Sequence, residues 1–241
     1  MAQILTAEGL SKAFGRVRAV ADLSMDVREG EILGVLGPNG SGKTTLFNLL
    51  SGIEQPDRGC IRFRGREITR LSVHARCRMG IGRTYQIPRP FGNMSVLENL
   101  LVAATHGAGL SERRARAMVA EILDLTGLEL LRHQMAHSLT LLDRKRLETA
   151  RALATRPHLL LLDEIAGGLT ESEARLVSEI IRAVNRKGVS VIWIEHLTSM
   201  MAGVDRILAL DQGTRLMCGE PGQVMSCEAV INCYMGAGDP P

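Results

Sequence analysis

Residues 37 to 44, Gly-Pro-Asn-Gly-Ser-Gly-Lys-Thr, place flexible glycines beside a cation and a hydroxyl at a spacing that can hold a phosphate chain. The glycines let successive backbone N–H groups curl around phosphate oxygens. Lys43 can reach the β- and γ-phosphates, and the Thr44 hydroxyl can bind Mg²⁺. The segment follows an apolar run and precedes a helical pattern, as the phosphate-loop motif G-x-x-x-x-G-K-[ST] requires. The predicted nucleotide-binding residues of this loop are Gly37, Pro38, Asn39, Gly40, Ser41, Gly42, Lys43, Thr44 and Thr45.

A second apolar run, His158-Leu-Leu-Leu-Leu-Asp-Glu164, ends in two acids. Asp163, at the end of a predicted strand, can hold Mg²⁺, and Glu164 can polarise a water molecule. Two solvated acids at an ordinary strand end are the alternative. The phosphate loop favours the catalytic interpretation, because phosphoryl transfer needs both a metal ligand and a group that activates water.

The elements around these residues predict an α/β fold. Short β-rich runs and turns fill the first sixty-odd residues, interrupted by one helix from Lys43 to about Ser51. Apolar residues at helical spacing dominate from about Leu97 to Leu153, and strands return after Pro157, alternating with helices. These later strands are apolar without alternation, which is typical of parallel strands covered on both faces. The pattern predicts an α/β core with a helical subdomain inserted between its halves.

Composition excludes several classes of protein. With 241 residues and 45% hydrophobic content, the chain can bury a sizeable core and is not disordered. A net charge of +3 and 3% aromatic residues give little support to nucleic-acid binding. The five cysteines form no C-x-x-C pair, which favours free thiols in a reducing compartment. Neither a signal peptide nor a run of 18 apolar residues is present, so we expect a cytoplasmic chain that does not itself span a membrane.

Three further residues follow in an order that identifies a family. Gln86 lies in GRTYQIPRPFGNM, His196 follows VSVIWIE, and Phe14 lies in LSKAFGRV. Together with the phosphate loop and the acid pair, they make the whole chain resemble the ATP-binding subunits of ABC transporters. The resemblance implies that Gln86 contacts Mg²⁺ and the attacking water, that His196 contacts the γ-phosphate and that Phe14 stacks on adenine. It also implies catalytic roles for Glu164 and Lys43, and Thr44, Gln86 and Asp163 as the groups that hold Mg²⁺.

Each of these three residues has an ordinary alternative. A glutamine at a strand end is unremarkable, and a lone histidine after a strand is more often a surface residue than a catalytic one. Phe14 in a turn could instead cap the β subdomain.

The resemblance also implies an architecture. We expect one ABC ATPase domain over residues 1–241, with a P-loop NTPase core, an N-terminal antiparallel β subdomain and an inserted helical subdomain. Residues 1–86 and 157–241 would form the core and β subdomain, and residues 87–156 the helical subdomain with the signature region.

Within the family, the stretch from Arg83 to Ala103 is similar to ATPases that serve importers of branched-chain and other hydrophobic amino acids. ATPases of urea importers and of lipopolysaccharide export share much of this pattern, so the solute class rests on analogy. The resemblance implies a second ATPase subunit in a homo- or heterodimer, transmembrane permease subunits and, indirectly, a solute-binding protein. The chain would lie on the cytoplasmic face of the plasma (inner) membrane. Residues Ile87 to Leu101, with exposed apolar Ile87, Phe91 and Met94, are expected to dock a permease helix, and a plain surface loop is the alternative.

The signature motif departs from the family pattern. Where the family has L-S-G-G-Q, this chain has Leu139-Thr140-Leu141-Leu142-Asp143. Thr140 remains a hydroxyl at a helix N-cap, which keeps it a candidate phosphate contact. Two leucines can crowd the approach of a γ-phosphate, and Asp143 adds about 1 kcal/mol of repulsion in water, or about 4 kcal/mol at an effective dielectric constant of 20, against a phosphate about 4 Å away. The helix dipole offers only about 0.3–1 kcal/mol in return.

We therefore expect an asymmetric pair, unless Asp143 turns away to cap its own helix. This chain would supply the phosphate loop, Gln86, Asp163, Glu164 and His196 to one complete site, and its own signature would close a weaker site. The alternative is that residues 138–148 are a capped, amphipathic helix start without a phosphate role. Arg144, Lys145 and Arg146 could offset the charge of Asp143, although a run of charges at a helix start is usually a solvated face. Two further departures are Ile165, where the family usually has proline, and Thr170 in the D-loop, where it has Asp or Asn.

Two rival functions remain at this point. One is a soluble ABC ATPase that acts on nucleic acid or the ribosome, which the near-neutral charge disfavours. The other is a non-hydrolysing regulatory subunit, which the presence of Glu164 and His196 disfavours.

Overall fold

The computed structural model describes residues 2–195, 201 and 203–235, apart from the side chains of residues 234 and 235. The chain forms two compact units. The first comprises the described residues of Met1–Val73 and Ser190–Pro241, and the second comprises His74–Val189.

The first unit contains a four-stranded antiparallel sheet in the order β2-β1-β4-β5. Its strands are β1 Gln3–Phe14, β2 Val17–Arg28, β4 Arg58–Phe63 and β5 Arg66–Glu67. Leu5 pairs with both Val27 and Phe63, so the buried side chains of three strands meet at one level of the sheet. This sheet is the predicted antiparallel β subdomain.

A second set of strands in this unit is built around β3, Ile32–Leu36. It pairs in parallel with β8, Ser190–Ile194, and with β9, Arg206–Asp211, and β9 pairs antiparallel with β10, Thr214–Gly219. All five residues of β3 and of β8 are buried, as expected of parallel strands without polar alternation. The helices of the unit are α1 Lys43–Ser51, α7 Pro221–Met225 and α8 Glu228–Met235.

The second unit combines two parallel strands with helices. The strands β6 Ile81–Arg83 and β7 Leu159–Asp163 pair from Ile81–Leu159 to Arg83–Leu161. The helices are α2 Val73–Arg78, which begins at the unit boundary, α3 Val96–Val102, α4 Glu112–Thr126, α5 Leu141–Ala154 and α6 Glu171–Arg186. Ser95 and Thr170 cap α3 and α6 in capping boxes with Glu98 and Glu173.

The elements confirm the predicted α/β class and the type of each strong segment. Helix α1 has the predicted bounds, and helices occupy the stretch from 97 to 153. The sequence prediction missed β5, β10 and α2, which are short or lack a clear period. Among the described residues, none of the helices has the length and apolarity needed to cross a membrane.

Candidate nucleotide site

Helix α1 begins with backbone groups that favour an anion. Its N-cap is Gly42, no side chain caps it, and its first turn contains no acidic residue. The helix dipole therefore favours a negatively charged ligand at this end of α1. Helices α3, α5 and α6 differ, because each begins with a hydroxyl cap and an acidic residue.

Polar side chains of the phosphate loop are held inside it. Lys43 is 5% exposed, and its ammonium Nζ donates to the carbonyl oxygens of Gly37 and Pro38 at 2.7 and 2.9 Å. The Ser41 hydroxyl is buried and has no hydrogen-bond partner among the described residues. An unsatisfied buried hydroxyl is costly, so this loop is suited to a ligand with several oxygen acceptors.

Gly42 cannot be replaced without disturbing the loop. Its φ is +99°, in the left-handed region, and a Cβ atom there would lie 2.3 Å from the Ala19 carbonyl oxygen and 3.3 Å from Gly213 Cα. The loop backbone therefore passes directly against its neighbours in the first unit, which only glycine allows. The other two hydroxyls predicted to act here differ in access, since Thr44 is exposed and Thr45 half-buried.

In the second unit, the buried strand β7 ends at Asp163. The Asp163 side chain is 7% exposed, and its Oδ2 lies 3.2 Å from Nη2 of Arg83, whose side chain is 8% exposed. The Asp163 backbone N–H donates to the Thr84 hydroxyl at 3.3 Å. Sequence reasoning did not single out Arg83 or Thr84. The available signal was their position in a short run before Gln86, which β6 places beside β7.

Gln86 and Glu164 are in direct contact. The Gln86 side-chain amide donates to the Glu164 carboxylate oxygen Oε2. Glu164 has a φ of +46°, which is uncommon for a residue with a side chain and costs on the order of 1–3 kcal/mol. The structure thus joins two of the predicted catalytic residues and holds one of them in a strained backbone conformation.

Lys145 supports this pair from α5. Its side chain is buried, and Nζ donates to the Gln86 carbonyl at 2.7 Å and to the Glu164 carbonyl at 3.3 Å. The ordinary alternative, that residues 144–146 form a solvated face, is therefore wrong for Lys145. A buried ammonium needs hydrogen-bond acceptors, and these two carbonyls supply them.

Two more charged residues, Glu148 and Arg151, follow Lys145 at intervals of three residues on the same face of α5. Glu148 is 5% exposed and accepts backbone hydrogen bonds from Arg89 and Tyr85. Burial raises the pKa of its carboxyl group, while the Arg151 guanidinium and those hydrogen bonds act in the opposite direction. Arg151 donates to the Arg89 carbonyl at 2.7 Å and lies 4.9 Å from the centre of the Phe91 ring. The segment after Gln86 is thus attached to α5 at Arg89 and Phe91.

The polar side chains at the start of α5 bond to one another within its first turn. Thr140 is the N-cap, and its hydroxyl accepts from the Asp143 backbone N–H at 3.2 Å. The Asp143 carboxylate accepts from that hydroxyl at 2.6 Å and pairs with Arg146 at 3.3 Å. Leu141 is 46% exposed, and its Cδ2 would lie 3.3 Å from a Cβ on Gly168. Thr140 is therefore the cap, and the Asp143 carboxylate does not turn away but stays in the first turn of α5, bonded to the Thr140 hydroxyl and to Arg146.

The remaining predicted residues lie at separate places. Phe14 ends β1 and is 48% exposed, with the Lys12 ammonium 5.4 Å from its ring centre. Ile87, Phe91 and Met94 are exposed, as predicted. His196 lies outside the described residues.

Comparison with known proteins places this geometry in a family. A model of the ABC transporter family matches residues 20–167. The chain is 38% identical to the high-affinity branched-chain amino acid transport ATP-binding protein LivG of Salmonella typhimurium, over 97% of this chain and 98% of that protein. It is 36% identical to the lipopolysaccharide export system ATP-binding protein LptB of Acidithiobacillus ferridurans, over 98% of each.

Solved structures of ATP-binding cassettes are similar to this chain over nearly its whole length. The crystal structure of a nucleotide-free ATP-binding cassette from an ABC transporter has a TM-score of 0.88 and 28% identity, covering 98% of this chain and all of that one. The ADP conformation of an ATP-binding cassette gives the same values. The predicted α/β ATPase fold is therefore confirmed, and the chain belongs to the ABC transporter family as an ATP-binding, ATP-hydrolysing subunit.

Proposed function

We propose that this chain hydrolyses ATP to drive a membrane importer of branched-chain or other hydrophobic amino acids. The observation that carries the catalytic part is the contact between Gln86 and Glu164, because it orients a carboxylate next to an amide that can bind water. The solute class is supported by LivG of Salmonella typhimurium, a branched-chain amino acid transport protein similar over almost the whole chain.

In this proposal, the phosphate loop holds the triphosphate of ATP. Lys43 exchanges its two loop carbonyls for β- and γ-phosphate oxygens, and the N–H groups at the start of α1 donate to the same chain of phosphates. Ser41, buried without a partner among the described residues, gains an acceptor. Phe14 stacks on adenine, for which its half-exposed ring is suited.

The residues expected to hold Mg²⁺ have suitable chemistry. Thr44, Gln86 and Asp163 offer hydroxyl, amide and carboxylate oxygens, the ligands that Mg²⁺ prefers. Asp163 already pairs with Arg83, so one carboxylate oxygen is engaged in the structure. When bound, Mg²⁺ neutralises charge on the β- and γ-phosphates.

Glu164 then acts as the general base. It accepts a proton from the attacking water as the new bond forms to the γ-phosphorus atom, while the bond to the bridging β–γ oxygen breaks and ADP departs. Gln86 orients the same water through its amide. Lys43 and His196 stabilise charge on the γ-phosphate in the transition state, as the family resemblance implies for both.

Lipopolysaccharide export is the second candidate. LptB of Acidithiobacillus ferridurans is 36% identical over almost the full length of both chains, only slightly less than LivG. A nucleic-acid partner is not part of either proposal.

The partners proposed are a second ATPase subunit, transmembrane permease subunits and, through these, a solute-binding protein. The chain would work at the cytoplasmic face of the inner membrane. We assign permease docking to the exposed apolar residues Ile87, Phe91 and Met94, which are 70%, 46% and 37% exposed. Arg151 supports this surface by stacking on Phe91.

The ATPase pair is proposed to be asymmetric. In ABC ATPases, the signature helix of one subunit faces the nucleotide of the other. Here the Asp143 carboxylate occupies the first turn of that helix and is balanced by Arg146, so a γ-phosphate would have to displace it. The chain therefore provides the catalytic residues of one efficient site and a weak signature for the other.

Site-directed variants in the assembled transporter test the proposal. We expect Glu164→Gln to abolish most hydrolysis, by about 10²-fold or more, because the general base is lost. Thr140→Ala should cost much less, and equal losses would contradict the asymmetric arrangement. Glu171→Gln is the matched control, since Glu171 is exposed and forms an ion pair with Arg175 within α6.

Transport assays identify the solute. A strain lacking this gene should lose uptake of labelled leucine, recover it with the wild-type chain and fail to recover it with Glu164→Gln. Unchanged leucine uptake together with a defective outer membrane would instead select lipopolysaccharide export.

A further inference from the structure

We propose that Lys145 is a positioning residue for ATP hydrolysis, which sets the Gln86–Glu164 pair from the signature helix of the same chain. The proposal rests on the hydrolytic function proposed above and adds a residue that neither the sequence motifs nor the comparisons assign.

The first support is that one ammonium group bridges both catalytic residues. Lys145 Nζ donates to the backbone carbonyls of Gln86 and Glu164, which lie 59 and 19 residues away along the chain. The two residues contact each other through their side chains at the same time. Lys145, Gln86 and Glu164 therefore form a closed ring of contacts, so moving one displaces the others.

The second support is the backbone of Glu164. Its φ of +46° is unfavourable for a residue with a side chain, and such a conformation persists only where surrounding contacts impose it. A charged donor on the Glu164 carbonyl orients the peptide unit on the C-terminal side of this residue. The Gly167 N–H also donates to this carbonyl, at 3.3 Å, so loss of Lys145 removes the charged part of the restraint and lets the carboxylate move from the Gln86 amide.

The third support is the cost of placing lysine there. Lys145 is 3% exposed, and an ammonium group in such a position loses most of its hydration. Glu148, one helical turn away on the same face, provides a compensating carboxylate. If this position only filled space in the core, an apolar residue would give greater stability than a buried lysine.

A fourth observation gives the arrangement a role in communication. Lys145 stands only five residues after the cap residue Thr140, in the helix whose start is the signature. A shift of α5 caused by nucleotide at its N-terminus would move Nζ relative to both carbonyls. The geometry of this chain's own catalytic pair would thereby respond to occupancy of the other site.

The first test uses NMR spectroscopy, which reports the environment of the Gln86 side chain without requiring hydrolysis. The side-chain amide signals of Gln86 are assigned in ¹⁵N-labelled full-length chain by their loss in Gln86→Ala. We expect Lys145→Met to shift these signals towards the position of a solvent-exposed glutamine, because the Glu164 carboxylate is no longer held against them. Lys187→Met is the matched control, since Lys187 is an exposed lysine at the end of α6 in the same unit, and it should leave the signals in place.

The second test measures turnover in the assembled transporter. Lys145→Met should lower kcat about 10-fold or more while KM and the affinity for ATP change less than about 2-fold, because small misplacements of catalytic groups affect mainly the chemical step. Lys145→Arg, which keeps the charge and can donate to both carbonyls, should recover at least half of the lost turnover. Should Lys145→Met fail to fold, Lys145→Gln is used, since it retains a polar end but is too short to reach both carbonyls.

The outcomes separate the two proposals. Unshifted Gln86 signals, or an unchanged kcat in a folded Lys145→Met chain, would overturn the positioning role. A parallel fall in kcat, ATP affinity and thermal stability, without recovery in Lys145→Arg, would assign Lys145 to general stability and also overturn it. A wild-type transporter without ATP hydrolysis would refute the proposed function, while the amide signals would still decide the role of Lys145.

Discussion

Thr140 donates its hydroxyl hydrogen to the Asp143 carboxylate across the first turn of α5, with 2.6 Å between Oγ1 and Oδ2. The same hydroxyl accepts from the Asp143 backbone N–H, so the two residues satisfy each other and the helix start together. Helix α1 of the phosphate loop has no such cap. Two helix N-termini that the family resemblance assigns to phosphate thus have opposite local chemistry.

Restoring the family signature should therefore increase hydrolysis by the chain alone. We expect a variant with Leu141→Gly, Leu142→Gly and Asp143→Gln to show turnover per chain that rises with protein concentration, as dimers form with an open signature. The added glycines should cost about 1 kcal/mol each in stability, because they replace better helix formers. Steady-state ATP hydrolysis measured across a concentration series checks this.

The wild-type chain is the comparison in that experiment. If its own turnover already climbs with concentration and the three changes leave it unaffected, the native segment from Leu139 to Asp143 works as a signature and the asymmetric pair is refuted.

Removing the cap should also lower stability. Thr140→Ala takes away the hydroxyl that accepts from Asp143, and losses of this kind cost about 0.5–2 kcal/mol. Urea unfolding should show a lower midpoint with an unchanged slope. Thr214→Ala is a useful control, because the exposed Thr214 hydroxyl donates to a turn carbonyl and caps no helix.

Gly42→Ala should abolish ATP binding. The new Cβ would lie 2.3 Å from the Ala19 carbonyl oxygen, so the loop must move away from the geometry that its N–H groups need. Gly65→Ala serves as the matched control, because Gly65 also has a left-handed φ, +76°, but its Cβ would meet nothing within 4 Å. Calorimetry with ATP should detect binding by the control and none by Gly42→Ala. Equal affinity in the two variants would contradict this role of Gly42.

Glu148 should make stability depend on pH. Because burial raises its pKa above the ordinary value of 4.5, the folded chain holds this proton more tightly than the unfolded chain does. Stability contributed by the protonated form is present below 4.5 and is lost as pH rises through the raised folded value. Glu148→Gln, which cannot ionise, should flatten this part of the curve.

Urea unfolding of both chains from below the ordinary pKa of Glu148 to neutral pH measures that effect. Glu112→Gln is the control for loss of an exposed carboxylate, since the Glu112 side chain is 73% exposed. If the free energies of unfolding of wild type and Glu148→Gln differ by the same amount at every pH, Glu148 does not titrate in this window.

Ile87→Glu should weaken association with the permease. A charge at this 70% exposed apolar residue would be buried on docking without a partner, which costs free energy. Co-purification of the transmembrane subunits should fall, while ATP binding by the isolated chain stays unchanged. Leu130→Glu is the control, because Leu130 is 98% exposed in the same unit but lies outside the proposed docking segment. Equal losses for both variants would rule out a specific contact at Ile87.

The sequence alone determined the features that rest on contiguous residues. The phosphate loop, the acid pair and the cap of α5 are encoded within a few positions, and their local geometry follows from residue type. The apolar runs and helical periods likewise predicted the class of fold, because burial of a strand or a helix face leaves a regular pattern in the chain.

The tertiary structure decided what no local pattern contains. In the sequence, Lys145 is one of three cations at a helix start. In the structure it is buried, because the segments around Gln86 and Glu164, distant along the chain, pack against it. Arg83 pairs with Asp163 only because β6 lies beside β7. Burial and partners of a charged side chain depend on these distant segments, so the support of the catalytic residues became visible only in the folded chain.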